Sequence, residues 1–299
     1  MNFDPPLGDP VVLALLRLAF EEDLGSGDIS SEATVPLACA ATAMVVARQP
    51  LVAAGVPLLD SVFSVMAERG RAEEEASTLS LLEQAADGAR LQAGELLCRI
   101  DGSARALLAV ERPLLNLLGH LCGVASATSA VVARVEAVSS SCRVLDTRKT
   151  ATGQRALEKY AVRCGGGHNH RMGLYDAVLI KDNHVVAAGG VGAAVKAATE
   201  RVPAGVVIEV ECDDLGQVEE ALLAGASHLL LDNFSPAQVK MAVKLVAGRA
   251  RLEASGGLGL DDVADYAAAG ADDLSVGALT HSVKQADLSM ELEIKTGDA

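Results

Sequence analysis

Apolar and polar positions follow a repeating order in the second half of the chain. Short aliphatic or β-branched runs, each bounded by turn residues, indicate buried strands, and stretches with a period near 3.6 residues separate them. We predict strands at residues 144–146, 177–180, 206–210, 228–231, 251–254 and 274–276, and helices at 154–164, 192–201, 215–224, 236–246 and 261–269. Such alternation predicts a parallel sheet, either as a β/α barrel or as an open wound sheet.

Length and composition narrow the class of protein. The 299 residues exceed the needs of one small core, so a large α/β barrel with an added domain is expected. Hydrophobic residues make up 50% of the chain, with no Trp, four Phe and three Tyr, so the core must be mainly aliphatic. The net charge of −15 and the few aromatic side chains both argue against nucleic-acid binding.

The N-terminal residues, the apolar stretches and the cysteines indicate the cellular compartment of the protein. Residues 1–10 lack the basic flank and apolar run of a signal peptide, and no apolar stretch looks long enough to span a bilayer. We therefore expect a cytoplasmic protein that does not associate with a membrane. The six cysteines show no CxxC or close Cys/His spacing, which favours reduced, buried thiols over a zinc site.

Positive charge is concentrated in one region of this acidic chain. Eight Lys or Arg residues lie between residues 143 and 181, against three acidic ones. Arg155, Lys159 and Arg163 fall at helical spacing and are interpreted as a solvated helix face. The remaining cations of interest sit at strand ends or beside glycine turns, and they are Arg148, Lys149, Arg171 and Lys181.

The predicted strands end on polar residues or glycine. The ends are Thr147-Arg148-Lys149, Lys181-Asp182-Asn183-His184, Glu211, Asp232-Asn233, Ser255-Gly256-Gly257 and Gly277. In a parallel barrel these ends meet at one mouth, where catalytic groups lie. The glycine turns after the last two strands are also where such barrels cradle a phosphate, although each turn alone is a weak signal.

Several long motifs are similar to one family. The stretch LDTRKTATGQRALEKYAVRCGGGHNHRMGLYDAVLIKDNH, at residues 145–184, resembles the quinolinate phosphoribosyltransferase family. So do EDLGSGDISSEATVP, ERPLLNLLGHLCGVAS, IEVEC, LLLDNFSP, LEASGGLGLDDV and LSVGALTHS. TRKT followed by NHR and KDNH at these spacings is far more specific than a lone glycine motif.

The resemblance implies a fold and an assembly. It implies an α/β protein with an N-terminal α/β sandwich at residues 1–115 and an incomplete parallel β/α barrel at residues 116–285. A C-terminal strand, 287–295 within the segment 286–299, is expected to pack back on the first domain. Members assemble at least as homodimers, and the sequence leaves dimer and hexamer open.

The resemblance also implies an activity: transfer of the phosphoribosyl group of phosphoribosyl pyrophosphate (PRPP) to quinolinate, with decarboxylation to nicotinate mononucleotide in NAD biosynthesis. Arg148, His170, Arg171 and Lys181 are then expected to bind quinolinate, with Arg112 donated by a neighbouring subunit. Lys149, Glu211 and Asp232 are expected to face PRPP, with Mg²⁺ held mainly through PRPP near the two carboxylates. Thr147, Ser255, Gly256, Gly257, Val276, Gly277 and Ala278 complete the expected substrate-binding set, and Lys149, Lys181, Glu211 and Asp232 are the expected catalytic residues.

Some residues have alternative roles, and others depart from the family pattern. Lys181 could form a Schiff base as in barrel aldolases, and Glu209 or Glu211 could be the carboxylate facing the ribose; we prefer Glu211 because it is nearer the mouth. His170 or His184 could be a general base or a histidine satisfied by protein groups behind the site, and for His184 we prefer the second. His120, His228 and His281 are interpreted as structural. Pro113, Thr152, His168 and Gly259 depart from the family pattern, and Pro113 is interpreted as the first residue of a helix over 113–121.

Two other functions compete with the carboxylating enzyme. A paralogous phosphoribosyltransferase associated with molybdenum uptake is expected to lack the cations for quinolinate, and they are present here. A non-catalytic nucleotide-sensing protein is expected to have lost Glu211 or Asp232, and both remain.

Overall fold

The structure is a computed structural model that describes residues 4–68 and 79–295. Residues 1–3 of the N-terminal stretch and 296–299 of the predicted C-terminal segment lie outside the described residues. The chain forms two compact units. Unit 1 comprises Met1–Ala127, Ala151–Gly166 and Val283–Ala299, and unit 2 comprises Thr128–Thr150 and Gly167–Ser282. The predicted domain boundary between residues 115 and 116 stays a prediction.

The helices and strands are numbered in chain order. The helices are α1 (Pro10–Leu24), α2 (Ile29–Thr34), α3 (Leu59–Ala67), α4 (Ala104–Glu136), α5 (Arg155–Cys164), α6 (Asp182–Ala188), α7 (Val191–Arg201), α8 (Leu215–Leu223), α9 (Pro236–Val246), α10 (Val263–Ala269) and α11 (Ala278–His281). The strands are β1 (Ala40–Ala47), β2 (Leu51–Val52), β3 (Ser80–Gln84), β4 (Arg90–Leu91), β5 (Leu96–Ser103), β6 (Arg143–Leu145), β7 (Val178–Ile180), β8 (Ile208–Cys212), β9 (His228–Asp232), β10 (Arg251–Ser255), β11 (Asp273–Ser275) and β12 (Leu288–Ile294).

Unit 1 is built around an antiparallel sheet with the strand order β12-β1-β5-β3. Side chains in β1 alternate between buried and partly exposed positions, as expected when one face of a strand packs on a core. The buried face carries small and β-branched residues, Ala41, Ala43, Val45 and Ala47. The C-terminal strand β12 pairs with β1 over seven residues, from Ala41 opposite Ile294 to Ala47 opposite Leu288.

Helix α4 corrects two expectations. It begins at Ala104 and runs through Pro113, so the proline lies inside a helix and not at its first position. Proline has no N–H, so the helix loses one hydrogen bond at this point. The helix is also long and apolar enough to cross a membrane, contrary to our expectation for the chain, but 61% of its most apolar window is buried in the protein, as in the core helix of a globular domain.

Unit 2 contains a six-stranded parallel sheet with the order β6-β11-β10-β9-β8-β7. Strands β6 and β7 are consecutive strands in the chain, yet they occupy the two edges of the sheet. This is the arrangement of an incomplete parallel β/α barrel, and the predicted fold class is confirmed. All six predicted strands form within two residues of their predicted bounds; α6 and α11, which follow β7 and β11, were not predicted.

The interpretation of Lys159 as part of a solvated helix face is wrong. Lys159 is 1% exposed, and Leu157 and Tyr160, which lie on the same helix, are equally buried. Burial of an ammonium group is costly unless it is paired, so this position is not one that solvates the charge. Arg163 is only partly buried: its Nη2 donates to the carbonyl of Asp4, and its guanidinium lies 5.9 Å from the centre of the Tyr160 ring.

The expectation of buried thiols is confirmed for five of the six cysteines. All six cysteines are free, and five of them are buried, with Cys39 partly exposed. Burial raises the pKa of Cys98 and Cys122 to about 12, so these groups behave as small apolar side chains.

Candidate active site

The carboxyl ends of the strands of unit 2 surround one pocket of about 220 Å³. Nine of the predicted site residues line it: Thr147, Arg148, Lys149, His170, Arg171, Lys181, Glu211, Asp232 and Ser255. Glu253 and Ser275 line it too and were not predicted. The remaining predicted residues of this unit, Gly256, Gly257, Val276, Gly277 and Ala278, directly follow β10 and β11. Parallel pairing brings these distant segments together because every strand points the same way.

Lys149 is fixed by its own backbone. Its N–H donates to Thr147 Oγ1 at 3.0 Å, and its carbonyl accepts from Thr280 Oγ1 at 2.7 Å. A Cβ at Gly277 would come within 3.3 Å of Lys149 Cδ and 3.2 Å of the His281 ring. Glycine at 277 therefore leaves the room in which the Lys149 side chain lies.

Asp146 attaches the loop before Arg171 to the barrel. It is fully buried, and its Oδ1 accepts from the His170 N–H at 2.9 Å while its Oδ2 accepts from Asn169 Nδ2 at 2.5 Å. His168 extends this attachment through a parallel bridge to Leu145. A loop distant from β6 in sequence is therefore held along that strand, with His170 and Arg171 at the pocket.

Two arginines share the wall beside this loop. Arg171 Nη1 donates to the carbonyl of Ala177 at 3.1 Å, whereas its buried Nε has no hydrogen-bond partner among the described residues. Burial, and then the nearby guanidinium of Arg148, lower the pKa of Arg171. A buried donor next to a second positive charge is suited to an anionic ligand such as a carboxylate.

His170 lies over two buried carboxylates. Its Nε2 is 3.0 Å from Glu209 Oε2 and 3.5 Å from Glu253 Oε2, while Ser275 Oγ donates to the other oxygen of Glu253. Burial, and the carboxylate of Glu209 next, raise the pKa of Glu253 well above its ordinary value. These three residues also have the donor types and the proximity of a metal site.

Glu209 and Glu211 occupy different places although they are two residues apart. Glu209 is buried against His170, while the carboxylate of Glu211 lines the pocket and accepts from Lys181 Nζ. The Lys181 side chain remains 46% exposed, so it can still reach a ligand. His184 accepts from the Lys181 N–H at 3.0 Å and caps α6, and these contacts agree with its interpretation as a histidine satisfied by protein groups behind the site.

Asp232 lines the pocket next to the glycine turn that follows β10. Asp232 Oδ2 accepts from Asn233 Nδ2 at 2.7 Å, and the Asn233 N–H donates to the carbonyl of Ser255 at 2.9 Å. Gly256 has φ +111°, and a Cβ there would lie 2.8 Å from the Asn233 backbone nitrogen. Only glycine fits this conformation and this close approach.

Arg112 does not line this pocket. It belongs to unit 1, on α4, where it lines a separate cavity with Asn116 and His120. His120 itself is hydrogen-bonded at 2.9 Å to the buried carboxylate of Glu158, which also accepts from the Ala151 N–H. The structural interpretation of His120 agrees with these contacts.

Sequence reasoning missed Asp146, Glu253, Ser275 and Thr280. The signal for Glu253 was available, because a charged residue in the middle of a buried parallel strand needs an explanation. Asp146 could be found in the same way, as the residue that ends the first apolar run. Ser275 and Thr280 carry no such signal, since hydroxyl residues are common at these positions.

An incomplete barrel with cations and carboxylates at the strand ends is the architecture of an enzyme that handles anionic substrates. Two family models match the chain: quinolinate phosphoribosyl transferase, N-terminal domain, at residues 28–122, and the C-terminal domain of the same family at residues 124–291. The chain belongs to the quinolinate phosphoribosyl transferase family.

Relatives and solved structures from the same family match nearly the whole length of the chain. Nicotinate-nucleotide pyrophosphorylase (carboxylating) of Mycobacterium leprae is 45% identical, over 93% of this chain and 95% of that protein. A probable enzyme of the same name from Bacillus subtilis is 39% identical, over 94% and 93%. The crystal structure of NadC from Streptococcus pyogenes superposes with a TM-score of 0.89 at 37% identity, covering 99% of this chain and all of that one.

Proposed function

We propose that this protein transfers the phosphoribosyl group of PRPP to quinolinate and releases CO2 and pyrophosphate, giving nicotinate mononucleotide for NAD biosynthesis. The relatives named above carry the corresponding enzyme name. The observation that carries the proposal is the single pocket in which Arg148, Lys149, Arg171 and Lys181 face Glu211 and Asp232.

Quinolinate is a dicarboxylate, and the arginine wall suits it. Arg148 and Arg171 provide planar donors that match a carboxylate in two-point contacts. The unpartnered buried Nε of Arg171 supports this role, because a substrate oxygen would satisfy it. Lys181 completes the cationic surface from the end of β7.

Ribosyl transfer separates charge, and the pocket offers both signs. Breaking the bond from ribose C1 to pyrophosphate leaves positive charge on the sugar and negative charge on the leaving group. Glu211 and Asp232 stabilise the sugar, and Lys149 stabilises the pyrophosphate. The transfer needs no covalent enzyme intermediate, so the mechanism has no step that requires a Schiff base on Lys181. The side chain of Lys181 is instead paired with the carboxylate of Glu211.

Decarboxylation uses the product of the first step. Once the pyridine nitrogen carries the ribose it is cationic, so it can accept the electrons released when the adjacent carboxylate leaves as CO2. The substrate is then its own electron sink. The protein's task is to hold the ring by its other carboxylate and by the cations around it.

The glycine turns suit the 5′-phosphate of PRPP. Backbone N–H groups in such turns bind phosphate oxygens at the ends of the last barrel strands. We assign this role to Ser255, Gly256 and Gly257 after β10 and to Val276, Gly277 and Ala278 after β11.

Mg²⁺ is proposed as the cofactor, held mainly through PRPP. The carboxylates of Glu211 and Asp232 are oxygen donors of the type Mg²⁺ prefers, and each already has a protein partner, which fits an ion that keeps waters and substrate oxygens. When bound, the ion neutralises pyrophosphate charge.

We further propose a cytoplasmic homodimer, or a hexamer of such dimers, in which Arg112 is lent to the neighbouring subunit. Six free thiols are compatible with a reducing compartment. Arg112 lines a cavity of unit 1, and the membership of the chain in the family supports its role in a second copy.

The deciding experiment measures CO2 release from carboxyl-labelled quinolinate. We expect release with PRPP and Mg²⁺, with equal formation of nicotinate mononucleotide, and none without PRPP. Release that is independent of PRPP, or no release at all, would reject the proposal. Nicotinate serves as the matched substrate, since it lacks the carboxylate that leaves.

A further inference from the structure

We propose that Glu209 and Glu253 are positioning residues of the proposed quinolinate site: they fix the ring of His170, and His170 in turn fixes the backbone of Arg171. This inference rests on the proposed function for its substrate but on hydrogen bonds of unit 2 for its geometry. We call the four residues the relay.

The contacts of the His170 ring determine which of its nitrogens carries the hydrogen. The Arg171 N–H donates to His170 Nδ1 at 2.7 Å, so Nδ1 must be an unprotonated acceptor. In a neutral imidazole the hydrogen is then on Nε2. That nitrogen lies 3.0 Å from Glu209 Oε2 and donates to it. Both ring nitrogens are therefore used inside unit 2, and His170 serves the substrate through Arg171.

The two carboxylates beside His170 are buried and close together. Glu209 and Glu253 are 8% and 5% exposed, and their oxygens lie together with His170 Nε2 in a cluster less than 4.8 Å across. Two ionised carboxylates this close in a buried place repel, so each needs hydrogen-bond donors around it. Burial, and then the neighbouring carboxylate of Glu209, raise the pKa of Glu253. Glu209 Oε2 lies nearer to His170 Nε2 than Glu253 Oε2 does, 3.0 Å against 3.5 Å, so Glu209 is the acceptor for the hydrogen on that nitrogen.

The tautomer of His170 does not fit a metal at the same cluster. A metal-bound histidine uses an unprotonated nitrogen as ligand and usually donates from the other one. Here Nδ1 accepts from a backbone N–H, so Nε2 keeps its hydrogen and cannot be a ligand. Two further hydrogen bonds hold the relay in place. Ser275 Oγ donates to the carboxylate of Glu253, and the His170 N–H donates to Asp146.

The relay explains how Arg171 is aimed. Its side chain has one protein acceptor, the carbonyl of Ala177, and its Nε is unpartnered among the described residues. The direction of this guanidinium therefore depends on its backbone, which His170 holds. Loosening His170 should weaken quinolinate binding and leave PRPP binding almost unchanged.

The test combines four variants. Glu209→Ala removes the acceptor for Nε2, whereas Glu209→Gln keeps an amide oxygen in its place. His170→Asn keeps an acceptor for the Arg171 N–H but has no group at Nε2. The double variant Glu209→Ala/His170→Asn measures coupling between the two. Glu200→Ala, an exposed carboxylate on α7, is the matched control.

We expect Glu209→Ala to raise the KM for quinolinate by about ten- to a hundredfold, as for loss of a hydrogen bond to a charged group. The KM for PRPP should change by less than about threefold, and Glu209→Gln should recover most of the loss. In the His170→Asn background, Glu209→Ala should add little. Additive effects, or equal increases in both KM values, would contradict the relay and indicate a general structural role.

A spectroscopic measurement on the unmodified protein covers the case in which Glu209→Ala does not fold. The ¹⁵N signals of His170, assigned by their loss in His170→Asn, should show an unprotonated Nδ1 and a protonated Nε2. A protonated Nδ1, or stoichiometric metal bound to this cluster, would overturn the relay. Unmodified protein that makes no nicotinate mononucleotide while showing the expected signals would reject the proposed function and leave the relay standing.

Discussion

Arg171 and Arg148 form a pair of like charges in the barrel pocket: burial first, and the Arg148 guanidinium second, lower the pKa of Arg171. Holding two cations together in a partly buried site costs free energy, and a dianion placed between them recovers it. The pair is therefore better suited to binding a dicarboxylate than to stabilising the free protein.

Replacing either arginine should impair catalysis more than folding. We expect Arg148→Ala or Arg171→Ala to lose roughly 2–5 kcal/mol of transition-state binding, by analogy with buried charge pairs. Steady-state kcat/KM for quinolinate measures this loss. Arg171→Lys should recover only part of it, because lysine lacks the planar fork.

The control for this prediction is Arg201→Ala, an exposed arginine at the end of α7. It should behave as unmodified protein. The melting temperature of the two pocket variants should change little, because relief of the repulsion between the two cations offsets the contacts that each variant loses, such as the hydrogen bond from Arg171 to the Ala177 carbonyl. Unchanged kcat/KM in either pocket variant would remove that arginine from the site.

The metal prediction follows from two carboxylates that already have protein partners. Glu211 and Asp232 should face a Mg²⁺-chelated substrate and should not form a permanent cage. The purified protein should carry no tight metal, excess chelator should abolish activity, and Mg²⁺ should restore it. Asp232→Asn should raise the Mg²⁺ concentration needed for half-maximal rate. Full activity in chelator would contradict the prediction.

Assembly can be tested by mixing two inactive variants. Arg112→Ala and Lys181→Ala should each be nearly inactive as homodimers, but a hybrid dimer should contain one intact site if Arg112 acts across the interface. Random pairing makes half the dimers hybrids with one good site each, so recovery should approach about a quarter of the unmodified activity.

The matched control mixes Arg148→Ala with Lys181→Ala. Both residues line the same pocket, so each site in that hybrid has one defect and no activity should return. If the Arg112 mixture also stays inactive after verified subunit exchange, Arg112 does not act across an interface.

A fourth prediction concerns stability and pH in unit 1. Burial raises the pKa of Asp87 from its ordinary 3.8 to about 6, although backbone N–H groups of Gly55 and Val56 oppose the shift. A raised pKa means that the native state binds the proton more tightly than the unfolded state. This stabilising contribution is complete below pH 3.8 and is lost as the pH rises through about 6.

The stability of Asp87→Asn relative to the unmodified protein should therefore be higher at pH 7.5 than at pH 4. The difference in melting temperature between the variant and the unmodified protein should rise between these pH values and then level off. Asp87 also accepts from the Tyr160 hydroxyl, so Tyr160→Phe tests that contact separately. A difference that does not vary with pH would show that Asp87 titrates normally.

The local pattern of the sequence determined the barrel. Helix α9 formed at its predicted bounds and β7 lacks only the first predicted residue, because turn residues and the period of apolar positions are properties of neighbouring residues. The polar residues at the strand ends also came together in one pocket, since parallel pairing aligns the carboxyl ends of all six strands.

Tertiary structure decided what depends on register and burial. Glu209 and Glu211 look alike in the sequence, yet only the packing of His170 against β8 separates a buried acceptor from a pocket carboxylate. Lys159 was expected in solvent and is buried, because the helical period shows which residues share a face but not what covers that face. Pro113 lies inside α4 because packing outweighs the cost of one lost hydrogen bond.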